Sequence, residues 1–189
     1  MESNYFNKSG RENTLTTLKL AYIAANELNI TTIVVASTKG RSALEAINIF
    51  SESFRLIIVT HQDGFQDVGN EFPIEIKEEI LQKRSTTIFH TGTHAFAGLE
   101  RSFRLKHQTM LPIEMLAITL RRCFGEGTKV TMEMAIMVSD AGLVDTTKDI
   151  ISVAGTGRGL DTAWIIRPSY SHKLFKLKMK VPICKPKNF

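Results

Sequence analysis

After Asp161 the sequence contains no acidic residue, although Arg167, Lys173, Lys176, Lys178, Lys180, Lys185 and Lys187 all follow. Those seven cations turn a balance of −2 over residues 1–161 (17 basic and 19 acidic side chains) into a net charge of +5 for the 189-residue chain. Cys123 and Cys184 are the only cysteines. Two are too few for a disulfide framework or a structural zinc site, so the reading is a cytoplasmic protein with reduced thiols. No apolar run approaches the roughly 18 residues of a membrane span. The opening MESNYFNKSGREN also lacks the apolar stretch of a signal peptide, and no membrane partner is expected. Internal repeats, low-complexity segments and linkers are all missing, which leaves residues 1–189 as one domain large enough to bury a full core.

A basic tail can meet nucleic acid. However, Phe175-Lys176-Leu177-Lys178-Met179-Lys180-Val181 alternates with period two, which puts the lysines on one face of a strand. Lysines on an edge strand block sheet-to-sheet aggregation. With no aromatic residue between them to stack bases, the solvated edge strand is the preferred reading and nucleic acid the weaker one.

What the chain does contain is an alternation of helical and strand patterns. Leu15, Leu18, Tyr22 and Ala25 recur at helical spacing within residues 14–28. TTIVVAS reads as a buried strand, followed by a helix from about residue 41 to 51, and RLIIVTH as a second buried strand. Pro73 suits the first position of a helix running to Arg84, and TTIFHTG is a third strand. Pro112 opens a helix with Ile113, Leu116, Ala117 and Leu120 as its core face and Gly125 just past its end. Val130, Met134, Val138 and Ala141 mark another helix closing at Gly142, with Met132, Met134 and Met137 as core filler. DIISVAG, TAWIIRP and the lysine strand then follow with connections too short for crossovers, so they are expected to be antiparallel. The fold expected is α/β, three layers α/β/α, with a mostly parallel central sheet and antiparallel C-terminal strands.

Two glycine-containing loops interrupt this pattern. VVASTKGRSALEA places Ser37, Thr38, Gly40 and Ser42 where a strand hands over to a helix, beside Lys39 and Arg41. Such a loop is either a plain turn with Ser42 as cap, or a phosphate site built from helix-start amides, hydroxyls and cations. VAGTGRGLDTAWIIRP alternates Gly155, Gly157 and Gly159 with Thr156 and Arg158. A dinucleotide fingerprint needs a helix next, and here a strand follows, so a Rossmann reading fails. A flexible hairpin is the plain alternative, although hairpins use roughly two to five loop residues and need no arginine. Arg158 could fork onto a phosphate or carboxylate. In open α/β sheets ligands bind outside the carboxyl ends of the strands. The segments just past those ends, Ser37–Ser42, His61–Gly69, Thr91–Gly98 and Gly155–Thr162, are all polar or glycine-rich.

Other candidate groups are weaker. His61 ends a strand and would point into the cleft as a general acid or base, or merely bond the next loop. His90 and His94 have a metal-like spacing, but a strand end and a glycine break the helical face that a metal pair needs, so no metal is expected. Glu100 and Arg101 read as surface or cap partners, and Glu114 and Glu133 as helix residues without a carboxylate partner. Cys123 beside Arg122 has no base near it to make it a nucleophile.

The motifs ENT, VASTKGRSAL, VTHQDGF, GTHAFAGLERS and VAGTGRGLDTA, in that order, resemble the stand-alone members of the pyruvate kinase carboxyl-terminal-domain family. The resemblance covers nearly the whole chain. It implies the α/β fold of that domain, which in pyruvate kinase binds a phosphorylated allosteric sugar and does no chemistry. It does not imply kinase activity, because a catalytic barrel needs about 250 residues. The stand-alone relatives are associated with flavin mononucleotide (FMN), which makes the expected protein a flavoprotein. Carried over by motif, Ser37, Thr38, Gly40 and Ser42 hold phosphate at a helix start. Gly155, Thr156, Gly157, Arg158 and Gly159 close from the other side, and Thr60, His61, Gly64 and Phe65 meet the flexible or planar part of the ligand. Lys39-Gly40-Arg41 is more basic than the family pattern, which leaves the number of phosphates open. A flavin-dependent oxidoreductase or a phosphoryl-handling enzyme using His61 is the alternative. Catalytic residues are not assigned, and oligomeric state is left open, a homo-oligomer included.

Overall fold

The computed structural model describes residues 3–65 and 72–189, so Gln66 to Gly69 of the second expected loop lie outside the described residues. Strands form at Asn4–Phe6 (β1), Thr32–Ala36 (β2), Arg55–Val59 (β3), Ile88–His90 (β4), Ile150–Ala154 (β5), Thr162–Arg167 (β6) and Lys178–Pro186 (β7). They build one sheet in the order β1-β7-β6-β5-β2-β3-β4. The pairs β2–β3, β2–β5, β3–β4 and β1–β7 are parallel, whereas β5–β6 and β6–β7 are antiparallel. Six helices accompany them among the described residues: Thr14–Glu27 (α1), Arg41–Ile49 (α2), Ile74–Lys83 (α3), Glu100–His107 (α4), Pro112–Phe124 (α5) and Glu126–Asp140 (α6).

The central strands TIVVA, RLIIV and IISVA are nearly all apolar because both of their faces are covered. Ile33, Val35, Leu56, Ile58, Ile151 and Val153 share one core cluster with Leu18, Ala21, Ala43, Ala46 and Phe50 of the α1–α2 side. Val34, Ile57, Val59, Ile150 and Ala154 share the other with Ala117, Met134, Ala135 and Val138 of α5 and α6. Strand side chains alternate faces, and this alternation sorts the two clusters. The result is the three-layer α/β/α architecture that the sequence suggests.

Helix α1 turns Leu18 and Ala25 of its expected pattern inward, but not Leu15 or Tyr22. Thr14, Thr17, Leu18, Ala21, Ala24 and Ala25 are buried, while Leu15 and Tyr22 are exposed. Small side chains let the helix lie close on the sheet, and Tyr22 instead packs at the rim, its ring centroid 5.7 Å from that of Phe54. Similarly, Ile113 of α5 is exposed, and Leu116, Ala117 and Leu120 carry that contact. The methionines do fill the core: Met134 and Met137 are buried, and Met132 packs against them.

The lysine segment also differs from its sequence pattern. Ser171–Lys176 forms a 3₁₀ turn, so the strand begins only at Lys178, and Phe175 is fully in solvent. Nor is β7 the edge along its whole length, because β1 pairs with Cys184 to Pro186. The lysine half does keep an open side, while Lys180 Nζ reaches back past β6 to Asp149 at 2.8 Å. β1 itself falls in a short polar stretch with no strand pattern. Cys184 is buried in the core, where burial pushes its thiol up to about 12.

Candidate functional site

Strand β2 leads by way of α2 toward β3 and β4 at one edge, while β5 leads to β6 and β7 at the other. The point between β2 and β5 is therefore where the strand order reverses, and crevices form there at the carboxyl ends. The two segments that leave those ends are residues 37–40 and 155–161.

Ser37 is held by its N–H, which donates to Val59 O at 2.9 Å. Its Oγ accepts the N–H of Ala43 at 3.3 Å, so Ser37 ties the loop to the first turn of α2. Gly40 is the residue before the helix, with φ of 87°. A Cβ there would lie 2.4 Å from Ile76 Cγ2, so this left-handed turn against α3 has room only for glycine. Ser42 does not cap the helix; it is the second helical residue, on the cleft wall.

The second loop is organised by Asp161, whose side chain is buried. Its Oδ2 accepts the N–H groups of Thr156 and Gly10, each at 3.1 Å, and Oδ1 accepts the Thr162 hydroxyl at 2.7 Å. One carboxylate thus fixes the loop and the segment that precedes α1. Thr14 Oγ1 accepts the N–H of Leu160 at 3.0 Å and donates to Arg11 O at 2.7 Å, a second link between the same two segments. The approach is close enough that a Cβ on Gly159 (φ 94°) would lie 2.4 Å from Arg11 Cα.

Residues 37–42 and 155–159 face each other across a cleft of about 850 Å³. Ser37, Thr38, Ser42, Gly155, Thr156, Gly157, Arg158 and Gly159 line it, together with His61. Four cations stand on its wall: Arg11, Lys39, Arg41 and Arg158. Among the described residues the one acid there is Glu126, and Arg121 holds its carboxylate at 2.9 Å. The wall is therefore electropositive, and the helix starts of α1 and α2 add their partial positive charge.

A smaller recess of about 300 Å³ adjoins the cleft, sharing Ser37, Thr38 and His61 with it. Phe65 lies there between His61, at 4.4 Å between ring centroids, and the Arg101 guanidinium, 4.4 Å from its centroid. Thr60 reaches this recess, but its hydroxyl is held on Thr91 Oγ1 at 2.6 Å, which pins the β3 and β4 ends together. The floor is an ion pair in α6, Lys129 Nζ to Glu133 Oε2 at 2.5 Å, with both side chains buried. Glu133 Oε1 also accepts the Phe96 N–H at 2.8 Å. Burial lowers the Lys129 pKa and is opposed chiefly by the attraction of Glu133.

His94 lines the same recess with its pKa held below the ordinary imidazole value. Burial is the main cause; Glu133 pulls it back up, while His61, Lys129 and Arg101 push it further down. A histidine that binds its proton less readily when folded costs no stability above its unfolded value of about 6.5. Stability then falls as pH drops below that value, until the folded group also protonates. His90, lowered by burial, acts in the same direction. The thermal midpoint is expected to fall between pH 7 and pH 5, and to fall less in His94→Gln. An equal loss in both proteins would show that His94 does not contribute.

Two of the residues expected at the site are not on its walls. Gly40 acts through the backbone turn described above, and Gly64 lines neither compartment. Thr60 and Phe65 belong to the smaller recess rather than to the cleft. The residues that the sequence reading missed include Arg11 and Thr14 of the cleft, Glu126 and Val130 of both compartments, and Arg121, Lys129 and Glu133 of the recess. The partner that Glu133 takes is a cation, Lys129, one helical turn before it. Arg101 is a recess residue, whereas Glu100 is a cap partner, accepting the Glu114 N–H at 2.9 Å.

Fold and cleft together define an α/β domain with an electropositive site at its topological switch point. The family described as "Pyruvate kinase, alpha/beta domain" matches residues 16–166. The chain belongs to that family. A solved structure, Cryptosporidium parvum pyruvate kinase in complex with ADP, is similar at 14% identity with a TM-score of 0.43. The match covers 80% of this chain and 22% of that enzyme, so the chain spans less than a quarter of its length. Among the described residues no helix is long and apolar enough to cross a membrane.

Proposed function

We propose that the cleft binds a phosphorylated small molecule, and that the molecule is FMN. Its phosphate lies between residues 37–42 and 155–159, and its ring system extends toward the recess of His61 and Phe65. The observation that carries this reading is that two loops more than a hundred residues apart in the chain line one electropositive cleft. The cleft volume of about 850 Å³ is that of a small-molecule site. Each charge-assisted hydrogen bond to a phosphate contributes about 1.5–3 kcal/mol, and a few of them suffice for micromolar affinity, roughly −8 kcal/mol.

Titration of the purified protein with FMN, followed by quenching of flavin fluorescence, tests the reading. Saturable micromolar binding is expected, and no uptake together with no flavin released on denaturation would overturn it. Arg158→Ala is expected to weaken FMN about tenfold, the loss of about 1.4 kcal/mol that one charge-assisted contact supports. Riboflavin, which lacks the phosphate, should respond less than twofold. An FMN affinity within twofold of wild type would place the anion elsewhere.

Among the described residues His61 is the one imidazole that lines both compartments, which favours a second reading. In that reading the protein is an enzyme, either a flavin-dependent oxidoreductase or a phosphoryl-handling one, with His61 as general acid or base. Turnover of a reductant or a phosphate ester that survives His61→Ala unchanged would remove it.

A further inference from the structure

We infer that Arg11, carried on the segment before α1, is the second arm of a two-arginine clamp on the ligand's phosphate, standing beside Arg158 on the same wall of the cleft. The inference rests on the phosphate-binding reading above and adds a residue to it. Arg11 lies outside residues 16–166, the part of the chain that matches the family, and it is not among the residues that the resemblance carries over to the site.

Three observations carry the assignment. The first is position. Arg11 lines the cleft together with Arg158, and the backbones of Arg11 and Gly159 are in direct apposition. The second is charge. Arg41 on the same wall is paired with Glu45 at 3.3 Å, and nearby Arg121 is paired with Glu126 at 2.9 Å. Among the described residues neither Arg11 nor Arg158 has an acidic partner. Two guanidinium groups that the protein does not neutralise match the charge of about −1.5 to −2 on a phosphomonoester. Each guanidinium also presents donors in the fork geometry suited to phosphate oxygens.

The third observation is anchorage. Residues 3–13 are fastened at both ends: β1 pairs with β7, and Gly10 N–H is bonded to Asp161. The carboxylate that holds Gly10 also holds Thr156, so the two arginine-bearing segments share one support. The clamp arms therefore cannot drift apart independently. Preorganisation of this kind reduces the ordering cost of binding.

The test compares wild type, Arg11→Gln, Arg11→Lys and Arg158→Ala by titration with FMN and with riboflavin. The same proteins are also followed by thermal shift in inorganic phosphate, with chloride as the ionic-strength control. Arg11 is exposed, and its glutamine variant is expected to melt within about 2 °C of wild type in chloride. Arg11→Gln should weaken FMN about tenfold, leave riboflavin within twofold, and abolish the stabilisation by phosphate. Arg11→Lys should recover part of the loss, because a single ammonium keeps the charge without the fork.

If wild type is stabilised by phosphate but takes up no FMN, the flavin reading fails and the clamp is judged on phosphate alone. FMN or phosphate responses in Arg11→Gln that equal wild type, while Arg158→Ala loses them, would overturn the clamp and leave the cleft reading intact. Wild type that responds to neither probe would overturn both.

Discussion

Glu133→Ala is expected to destabilise the fold by about 3–5 kcal/mol, the cost of leaving a buried charge without its partner. Lys129 Nζ would remain in α6 with its carboxylate gone, and the Phe96 N–H would lose its acceptor as well. Removing both charges is a different experiment. A Lys129→Met/Glu133→Gln protein keeps the side-chain volumes and an acceptor for Phe96, and it should recover most of the loss, since neither substitution leaves a buried charge without its partner. Urea melts of the single and double variants read this directly. A single variant within 1 kcal/mol of wild type would show that water reaches the recess floor and screens the pair. The double variant also separates stability from function: if the recess receives the ring of a ligand, FMN affinity should stay reduced although the fold is restored.

Asp161→Ala is expected to cost about 3 kcal/mol or more, because three donors lose a buried charged acceptor at once. The same change frees residues 155–159 and the segment carrying Arg11 from each other, so FMN affinity should drop more than tenfold. Asp161→Asn separates geometry from charge. With its amide oxygen at the Oδ2 position, asparagine still accepts from Gly10 and Thr156, and its NH₂ can donate to the Thr162 hydroxyl. The asparagine protein should therefore keep more than half of the lost stability. If denaturant melts show both variants equally unstable, the negative charge and not the bonding pattern is what the site requires.

The sequence carried the layers and the two facing loops for a definite reason. Strands such as TIVVA and RLIIV are buried on both faces and so announce themselves by unbroken apolar runs, and loops at their carboxyl ends are where an open sheet binds. Features that depend on two distant segments were not legible. Arg11 sits in a polar stretch without periodicity, and its place on the cleft wall depends on Asp161, some 150 residues away, accepting the Gly10 N–H. Lys129 and Glu133 have a spacing readable as an ordinary surface pair, and only the burial of nearly all of α6 makes them a recess floor. The inward face of α1 is only half legible: Leu18 and Ala25 are buried as their spacing predicts, but close packing on the sheet favours Ala21 and Ala24 over the larger Leu15 and Tyr22. The alternating lysines span two kinds of structure, a 3₁₀ turn to Lys176 and a strand from Lys178, and a pattern only a few residues long does not separate them.

The pairing of Asn4 with Cys184 and of Phe6 with Pro186 bears on how the molecule comes together. Among the described residues β1 pairs with β7 alone, so this edge of the sheet closes only when segments some 180 residues apart meet. Contacts this distant in sequence slow folding because a long loop must close before they form. Arg11 lies on the segment that β1 anchors. Until β1 pairs with β7 the segment bearing Arg11 has one anchor fewer, so the crevice wall it supplies depends on that long closure.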